Sequence, residues 1–236
     1  AITGFLRANR DKGRHLVTSI IEHKAVIDTA KAAEREGFDV TWLTPQADGS
    51  VSPGQLAEAM RPDTVLVSLM AVNNELGTIN DIAALAEVAH DHGAMIHVDA
   101  AQAVGRIDLD VGRSKVDMMS LSGHKAYGPK GIGALYVRRS PDLRLEALIH
   151  GGGHERSMRS GTLATHQIAG MGEAFALAAN EGEADQARIQ SLRDRLLEAI
   201  ADLDGVHSNT RLEASVPNII NLGFEGVDGE SLLMAL

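Results

Sequence analysis

Short apolar runs alternate with amphipathic segments along most of the chain. The runs with the length and character of β-strands are His15–Ile20, Phe38–Leu43, Thr64–Met70, Ala94–Val98, Val116–Leu121 and Ile132–Val137. Helical spacing and capping residues predict helices between them, at Lys24–Glu36, at Pro53–Met60 and from Asn80 or Asp81 to Gly93. Strands joined by helices form a mostly parallel sheet. We therefore predict an α/β fold with three layers, in which helices flank a mostly parallel (mixed) sheet.

The pattern changes after Ala179. Apolar residues spaced three and four apart predict a long amphipathic helix, and they are Ile189, Leu192, Leu196, Ile200 and Leu203. A predicted strand at Asn218–Phe224 and a helical pattern from Gly229 follow. We expect a large domain over residues 1–181 and part of a smaller α+β C-terminal domain over 182–236, with the boundary at Asn180–Glu183.

Both ends of the sequence predict an interior segment of a longer protein. The chain begins at Ala1 and lacks the basic and apolar regions of a signal peptide. Its last residues, Gly229–Leu236, form an apolar helical pattern without a C-cap. We therefore expect further residues of the natural protein on both sides.

Composition narrows the classes of function. The net charge is −10 and there is no cysteine. An acidic chain lacks the basic face that binds nucleic acid, and no apolar run approaches the roughly 20 residues that span a bilayer. Without cysteine, disulfides and thiolate metal sites are excluded, which fits a reducing, cytoplasmic compartment. We expect neither nucleic acid nor a membrane as a partner.

Polar residues follow three of the predicted strands. Asn73, Asn74 and Glu75 come after Met70, Asp99 ends the run that contains Val98, and Ser122-Gly-His-Lys125 follows Leu121. In open parallel sheets, ligands bind beyond the carboxyl ends of the strands. The sequence therefore predicts a ligand site at this edge.

Asp99 lies at the tip of an apolar strand, where an unpaired charge is costly. Spacing alone supports two interpretations equally. The carboxylate can cap the segment that follows. It can also pair with a protonated ring nitrogen, because the pyridinium of pyridoxal phosphate needs a fixed anion nearby.

Lys125 precedes the glycine-rich stretch Gly128–Gly133. A partly desolvated lysine can attack a carbonyl and form a Schiff base, although most lysines are solvated. Lys130 in the same loop is the competing candidate. The glycines match neither a Walker motif nor a dinucleotide fingerprint. Ser122 and His124 can donate hydrogen bonds to a phosphate, or bond their own turn.

His150 and His154 are four residues apart, which is a metal-binding spacing on a helix. The three glycines between them disfavour a helix, so we expect no metal site. The loop continues through Arg156, Arg159 and Ser160-Gly-Thr162, which are hydrogen-bond donors suited to an anion or a neighbouring subunit.

Five strings in this order resemble the NifS/IscS group of cysteine desulfurases, within the class-V aminotransferases of fold-type I. They are Glu22-His-Lys-Ala-Val26, Val72-Asn-Asn-Glu-Leu-Gly77, His97-Val-Asp-Ala-Ala-Gln102, Ser122-Gly-His-Lys-Ala-Tyr-Gly-Pro-Lys-Gly131, and His150-Gly-Gly-Gly-His-Glu-Arg156 with Arg159-Ser-Gly-Thr162. Each string is modest alone, but five in register are specific. The likeness covers essentially the whole chain.

The resemblance implies a pyridoxal 5'-phosphate site and a role for each matching residue. Lys125 would hold the cofactor as a Schiff base, and Asp99 would pair with the ring nitrogen. His23 would stack on the ring and transfer protons, although without the resemblance it reads as an exposed residue at a helix start. Gln102 would bond the phenolic oxygen, and Asn74 would lie beside the ring.

The remaining implied contacts concern the phosphate and a second subunit. Ser122 and His124 would bind the phosphate of the cofactor. Thr162 would reach the phosphate in the other subunit, which implies a homodimer.

The implied reaction converts L-cysteine to L-alanine and passes sulfur to an enzyme cysteine as a persulfide. An iron–sulfur scaffold or another acceptor protein would then receive it. The chain departs from the family because it has no cysteine. The persulfide-forming loop would lie beyond Leu236, so we expect this segment alone to be inactive. A related lyase or aminotransferase, or a non-catalytic cofactor-binding module, stays open.

Overall fold

A six-stranded sheet forms the centre of the computed structural model, which describes residues 1–235. Its strands are β1 (His15–Ser19), β2 (Asp39–Leu43), β3 (Thr64–Met70), β4 (Met95–Asp99), β5 (Met118–Ser122) and β6 (Gly133–Val137). The order across the sheet is β2-β1-β3-β4-β5-β6, and every neighbouring pair is parallel except β5 with β6. The predicted α/β fold with a mixed sheet is confirmed.

The helices that flank this sheet occupy most of the predicted positions. They are α1 (Ile2–Ala8), α2 (Lys24–Arg35), α3 (Pro53–Ala59), α4 (Ile82–Asp91) and the single-turn α5 (Val111–Ser114). Ser52 and Gln55 form a capping box at the start of α3. Asp81 caps α4 by accepting the Ala84 N–H at 3.1 Å. The alternative cap, Asn80, instead bonds Val51 N–H and the carbonyl of Met70.

Successive residues of each central strand enter two different apolar clusters. One cluster contains Val17, Val67 and Met119, and the other contains Leu16, Leu66 and Met118. Because side chains alternate between the faces of a strand, the clusters lie on opposite faces of the sheet. Helices α1 and α2 cover one face, and α3 and α4 cover the other. These are the three predicted layers.

The C-terminal part differs from the prediction in its element lengths. Helix α6 spans Thr165–Ile200, and β7 (Val206–Ser208) pairs antiparallel with β8 (Leu222–Phe224) before α7 (Gly229–Ala235). The predicted strand at Asn218–Phe224 is therefore four residues too long at its start. Helix α6 runs unbroken through the predicted boundary at residues 180–183, and the division at 181/182 stays a prediction.

Glycines explain why the first half of α6 is hard to recognise. Gly170, Gly172 and Gly182 lie inside the helix, where glycine lowers helix propensity by about 1 kcal/mol each. Close packing explains the glycine at position 170, since a Cβ there would lie 2.8 Å from Pro129 Cγ. Among the helices of residues 1–235, none combines 18 or more residues with the hydropathy of a membrane span.

Candidate active site

A cavity of about 450 Å³ lies at the carboxyl ends of β3, β4 and β5. Seven of the residues singled out from the sequence line it, namely His23, Asn74, Asp99, Gln102, Ser122, His124 and Lys125. They come from four separate segments of the chain. We call this space the site cavity, and its volume is typical of small-molecule sites.

A tight turn positions Lys125 in the site cavity. Residues Gly123–Ala126 form a 3-10 turn, which the Gly128 N–H closes on the carbonyl of Gly123 at 2.9 Å. A Cβ at Gly123 would lie 2.9 Å from Ile132 Cγ2, so only glycine lets the turn approach the next segment. Lys130 is exposed and does not line the cavity.

Asp99 makes the capping contact that is one of the two interpretations its sequence position allows. Its Oδ1 accepts the Ala101 N–H at 2.9 Å, as a capping carboxylate does. Within the described residues, its second oxygen makes no hydrogen bond, and Asp99 lines the site cavity. The local cap therefore leaves one carboxylate oxygen for a ligand.

His23 begins α2 and lines the same cavity. Its Nδ1 accepts the Ala25 N–H at 3.1 Å. A neutral imidazole with an accepting Nδ1 carries its proton on Nε2. The capping contact therefore fixes the tautomer and leaves Nε2–H as the donor.

Polar groups surround the rest of the site cavity. The Ser122 Oγ lies 3.0 Å from His124 Nδ1, so these two residues form one hydrogen-bonded pair. Asn74 lines the cavity, whereas its neighbour Asn73 is buried and bonds Glu75 N–H, Leu76 N–H and the carbonyl of Ile21. Of the two asparagines, only Asn74 is available to a ligand.

Glu22 is a buried acid next to the cavity that the sequence did not single out. Its Oε1 accepts the Met70 N–H at 2.9 Å, and its Oε2 has no partner within the described residues. Burial raises the pKa of Glu22 to about 8, against the effect of the Met70 bond and with help from the Asp99 charge. Glu22 therefore holds a proton at neutral pH. Its only sequence signal was its place directly before His23.

His97 lies under the cavity in a second polar network. Its Nδ1 is 2.9 Å from Ser68 Oγ and its Nε2 is 2.8 Å from Ser120 Oγ. Burial lowers the pKa of His97 to about 3, so the ring is neutral at physiological pH. Ser120 lines the site cavity, and this network gives β3, β4 and β5 a fixed polar connection beneath it.

The loop from His150 to Thr162 lies apart from these residues. Thr162 is exposed and does not line the site cavity, which agrees with an expected role in another subunit but does not test it. His154 Nδ1 accepts the Gly161 N–H at 3.3 Å. Within residues 1–235, no cluster of three or more histidine and carboxylate side chains has the arrangement of a metal site.

Comparisons with known proteins point to one family. The family model described as aminotransferase class-V matches residues 1–236. The cysteine desulfurase IscS of Pseudomonas putida strain W619 is 58% identical over 236 residues, which are 100% of this chain and 58% of that protein. The chain thus spans little more than half the length of this curated relative.

Comparison with solved structures points to the same family. A NifS-like protein matches with a TM-score of 0.93 and 35% identity, over 98% of this chain and 63% of that one. A structure described as SspA in complex with cysteine matches with a TM-score of 0.85 and 39% identity, over 99% of this chain and 65% of that one. With the family model, they show that the chain belongs to the class-V aminotransferase family and is a homologue of the IscS and NifS-like proteins.

Proposed function

We propose that this chain forms the pyridoxal-phosphate-binding core of a cysteine desulfurase. The observation that carries the proposal is the site cavity, which brings Lys125 together with the carboxylate of Asp99 and a set of polar donors. The 58% identity to a cysteine desulfurase supports the substrate class. The SspA structure, described as a complex with cysteine, supports it independently.

The residues of the site cavity fit this cofactor by their chemistry. Pyridoxal phosphate presents an aldehyde, a ring nitrogen, a phenolic oxygen and a phosphate. The cavity offers an amine in Lys125, an anion in Asp99, an amide in Gln102 and donors in Ser122 and His124. Each group of the cofactor thus has a complementary partner.

The proposed division of labour starts with Lys125 and Asp99. Lys125 would hold the cofactor covalently, and its amine would move a proton at the substrate Cα. The free oxygen of Asp99 would pair with the ring nitrogen, while its other oxygen stays on the Ala101 N–H. The cofactor, when bound, supplies the electron sink that stabilises negative charge on this carbon.

Three further residues orient the ring in this proposal. His23 would stack on the ring face, and its Nε2 would be the atom that exchanges a proton because Nδ1 is held by Ala25 N–H. Gln102 donates to the phenolic oxygen, and Asn74 lies beside the ring. Ser122 and His124 bind the phosphate as a hydrogen-bonded pair.

The proposal extends to a second subunit and a sulfur acceptor. Thr162 binds the phosphate held by the partner subunit of a homodimer, which is consistent with its exposure. The reaction takes L-cysteine to L-alanine, and the chain has no thiol to receive the sulfur. A cysteine outside this segment takes it as a persulfide and passes it to an iron–sulfur scaffold or another acceptor. A cytoplasmic location is part of this proposal.

Substitution of the two competing lysines tests the cofactor assignment. In the native protein that contains this chain, we expect Lys125→Ala to abolish the visible absorbance of covalently bound pyridoxal phosphate. The matched variant Lys130→Ala should keep it, because Lys130 does not line the site cavity. The opposite pair of results would move the covalent bond to Lys130.

A turnover assay tests the substrate assignment separately. The reconstituted native protein should release equal amounts of alanine and sulfide from L-cysteine in the presence of a reductant. Bound cofactor without any turnover of cysteine would contradict the substrate and favour a related lyase, an aminotransferase or a non-catalytic module.

A further inference from the structure

Arg106 lies directly behind Gln102, outside the site cavity. Its guanidinium donates from one nitrogen to the Gln102 carbonyl at 3.1 Å and to Gln102 Oε1. The other terminal nitrogen donates to the carbonyl of Lys125 at 3.2 Å. One side chain therefore joins the two segments that carry Gln102 and Lys125.

The contact with Arg106 determines which way the Gln102 amide points. A guanidinium has only donors, so the amide atom that faces it is the oxygen. The amide nitrogen, with two N–H donors, then faces the other way. Within the described residues this nitrogen has no hydrogen-bond partner, and Gln102 lines the site cavity. Gln102 thus offers donors rather than an acceptor to the ligand.

Arg106 has no carboxylate partner among residues 1–235, unlike the arginines that form ion pairs at the surface or beside Asp117. Arg113 pairs with Asp108 and Asp110, and Arg138 pairs with Asp117. Arg106 is partly buried in the wall of a neighbouring cavity of about 380 Å³. Its contacts with Gln102 and Lys125 are therefore its main polar contacts.

We propose that Arg106 is a positioning residue that locks the Gln102 amide with its N–H donors directed at the phenolic oxygen of the cofactor. This inference rests on the proposed function, because it takes pyridoxal phosphate as the occupant of the site cavity. Without Arg106 the amide can rotate and present its oxygen, which repels a phenolate. Arg106 thus acts on the cofactor through Gln102 and does not touch it.

The test is the pH titration of the visible absorption band of the bound cofactor, in the native protein. A donor to the phenolic oxygen favours its anionic form, so loss of the donor raises the pH midpoint. We expect Arg106→Met and Gln102→Ala each to raise it by about one unit. The double variant should show no larger shift than Gln102→Ala alone, since both changes remove the same interaction.

Two further variants separate positioning from other roles. Arg106→Lys keeps a cationic donor for Gln102 Oε1, so its midpoint should stay close to that of the wild type. Arg139→Met removes an exposed arginine and should leave the midpoint unchanged. A larger shift in the double variant than in Gln102→Ala alone would overturn the inference and assign the effect of Arg106 to its charge or to loop stability. A wild-type protein without a visible band would instead refute the proposed function.

Discussion

Buried acids lie at both ends of the central sheet, and the two ends satisfy them differently. At the amino end of β5, Asp117 is fully buried and accepts hydrogen bonds from Ile96 N–H, His90 and Arg138. At the carboxyl end of β3, Glu22 is 5% exposed and accepts one hydrogen bond, from Met70 N–H. Within residues 1–235, the side chain of Asp99 near it also accepts only one hydrogen bond, from Ala101 N–H.

The difference follows from what each end does. Buried charges are stable when charged partners and hydrogen bonds surround them, as at Asp117. Glu22 and Asp99 each keep an oxygen without a hydrogen-bond partner among residues 1–235, which lowers stability, and of the two only Asp99 lines the site cavity. The amino end therefore stabilises the sheet, and the carboxyl end leaves polar atoms unsatisfied beside the site cavity, as the proposed binding role requires.

The strongest test of this contrast removes the negative charge of Asp99 in the variant Asp99→Asn. Asn at this position keeps an oxygen for the Ala101 N–H, so the fold should be retained. If the proposed function holds, the anion assigned to the ring nitrogen is lost, and we expect kcat/KM for L-cysteine to fall by about 1,000-fold. Turnover and urea unfolding of the native protein measure the two effects. Wild-type turnover in the variant would reduce Asp99 to a local cap.

The second test removes the acid at the opposite end. Asp117→Ala leaves the Ile96 N–H unsatisfied and deprives Arg138 of its carboxylate. We expect the free energy of unfolding to fall by about 3 kcal/mol. Turnover per folded, cofactor-bound molecule should not change, because Asp117 lies at the amino end of β5, opposite the carboxyl edge of the sheet.

The control for Asp117 is an exposed acid. Asp108 pairs with Arg113 at the surface, where ion pairs contribute little. Asp108→Ala should leave the unfolding transition close to that of the wild type. Equal destabilisation by the two variants would show that burial of Asp117 does not matter.

The carboxyl edge was predictable because its signals are local. Asp99 and Ser122–Lys125 follow apolar strands directly, and the strands had been recognised from their composition. The parallel sheet then brings strand ends together whatever the details of packing. The resemblance to the family added His23, whose position before α2 otherwise suggests only a helix cap.

Glu22 and Arg106 were missed because their roles depend on contacts distant in sequence. Glu22 is buried only because β3 brings Met70 against it, 48 residues away. Arg106 reaches Lys125 only after the turn at Gly123–Ala126 folds back. The start of α6 was missed for a different reason, since Gly170 and Gly172 lower the helix propensity there, and only Gly170 of the two packs closely, against Pro129.

The third test uses pH to separate the two kinds of buried acid. The folded state raises the pKa of Glu22 from its ordinary value near 4.5 to about 8. Between pH 4.5 and about pH 8, the folded protein therefore keeps a proton on Glu22 that the unfolded chain has released. The stabilisation is fully present below pH 4.5 and is lost as pH rises through about 8. Glu22→Gln keeps the acceptor for Met70 N–H but cannot ionise.

We expect the stability of the wild type relative to Glu22→Gln to fall by about 1.4 kcal/mol for each unit between pH 5 and pH 8. Urea unfolding of both proteins at one-unit intervals measures this slope. Glu36 provides a control of opposite sign, because its hydrogen bond with Arg7 lowers its pKa. The stability difference for Glu36→Gln should be constant over the same interval and change only at lower pH. Parallel profiles for Glu22→Gln and the wild type would mean that Glu22 is ionised in the folded protein.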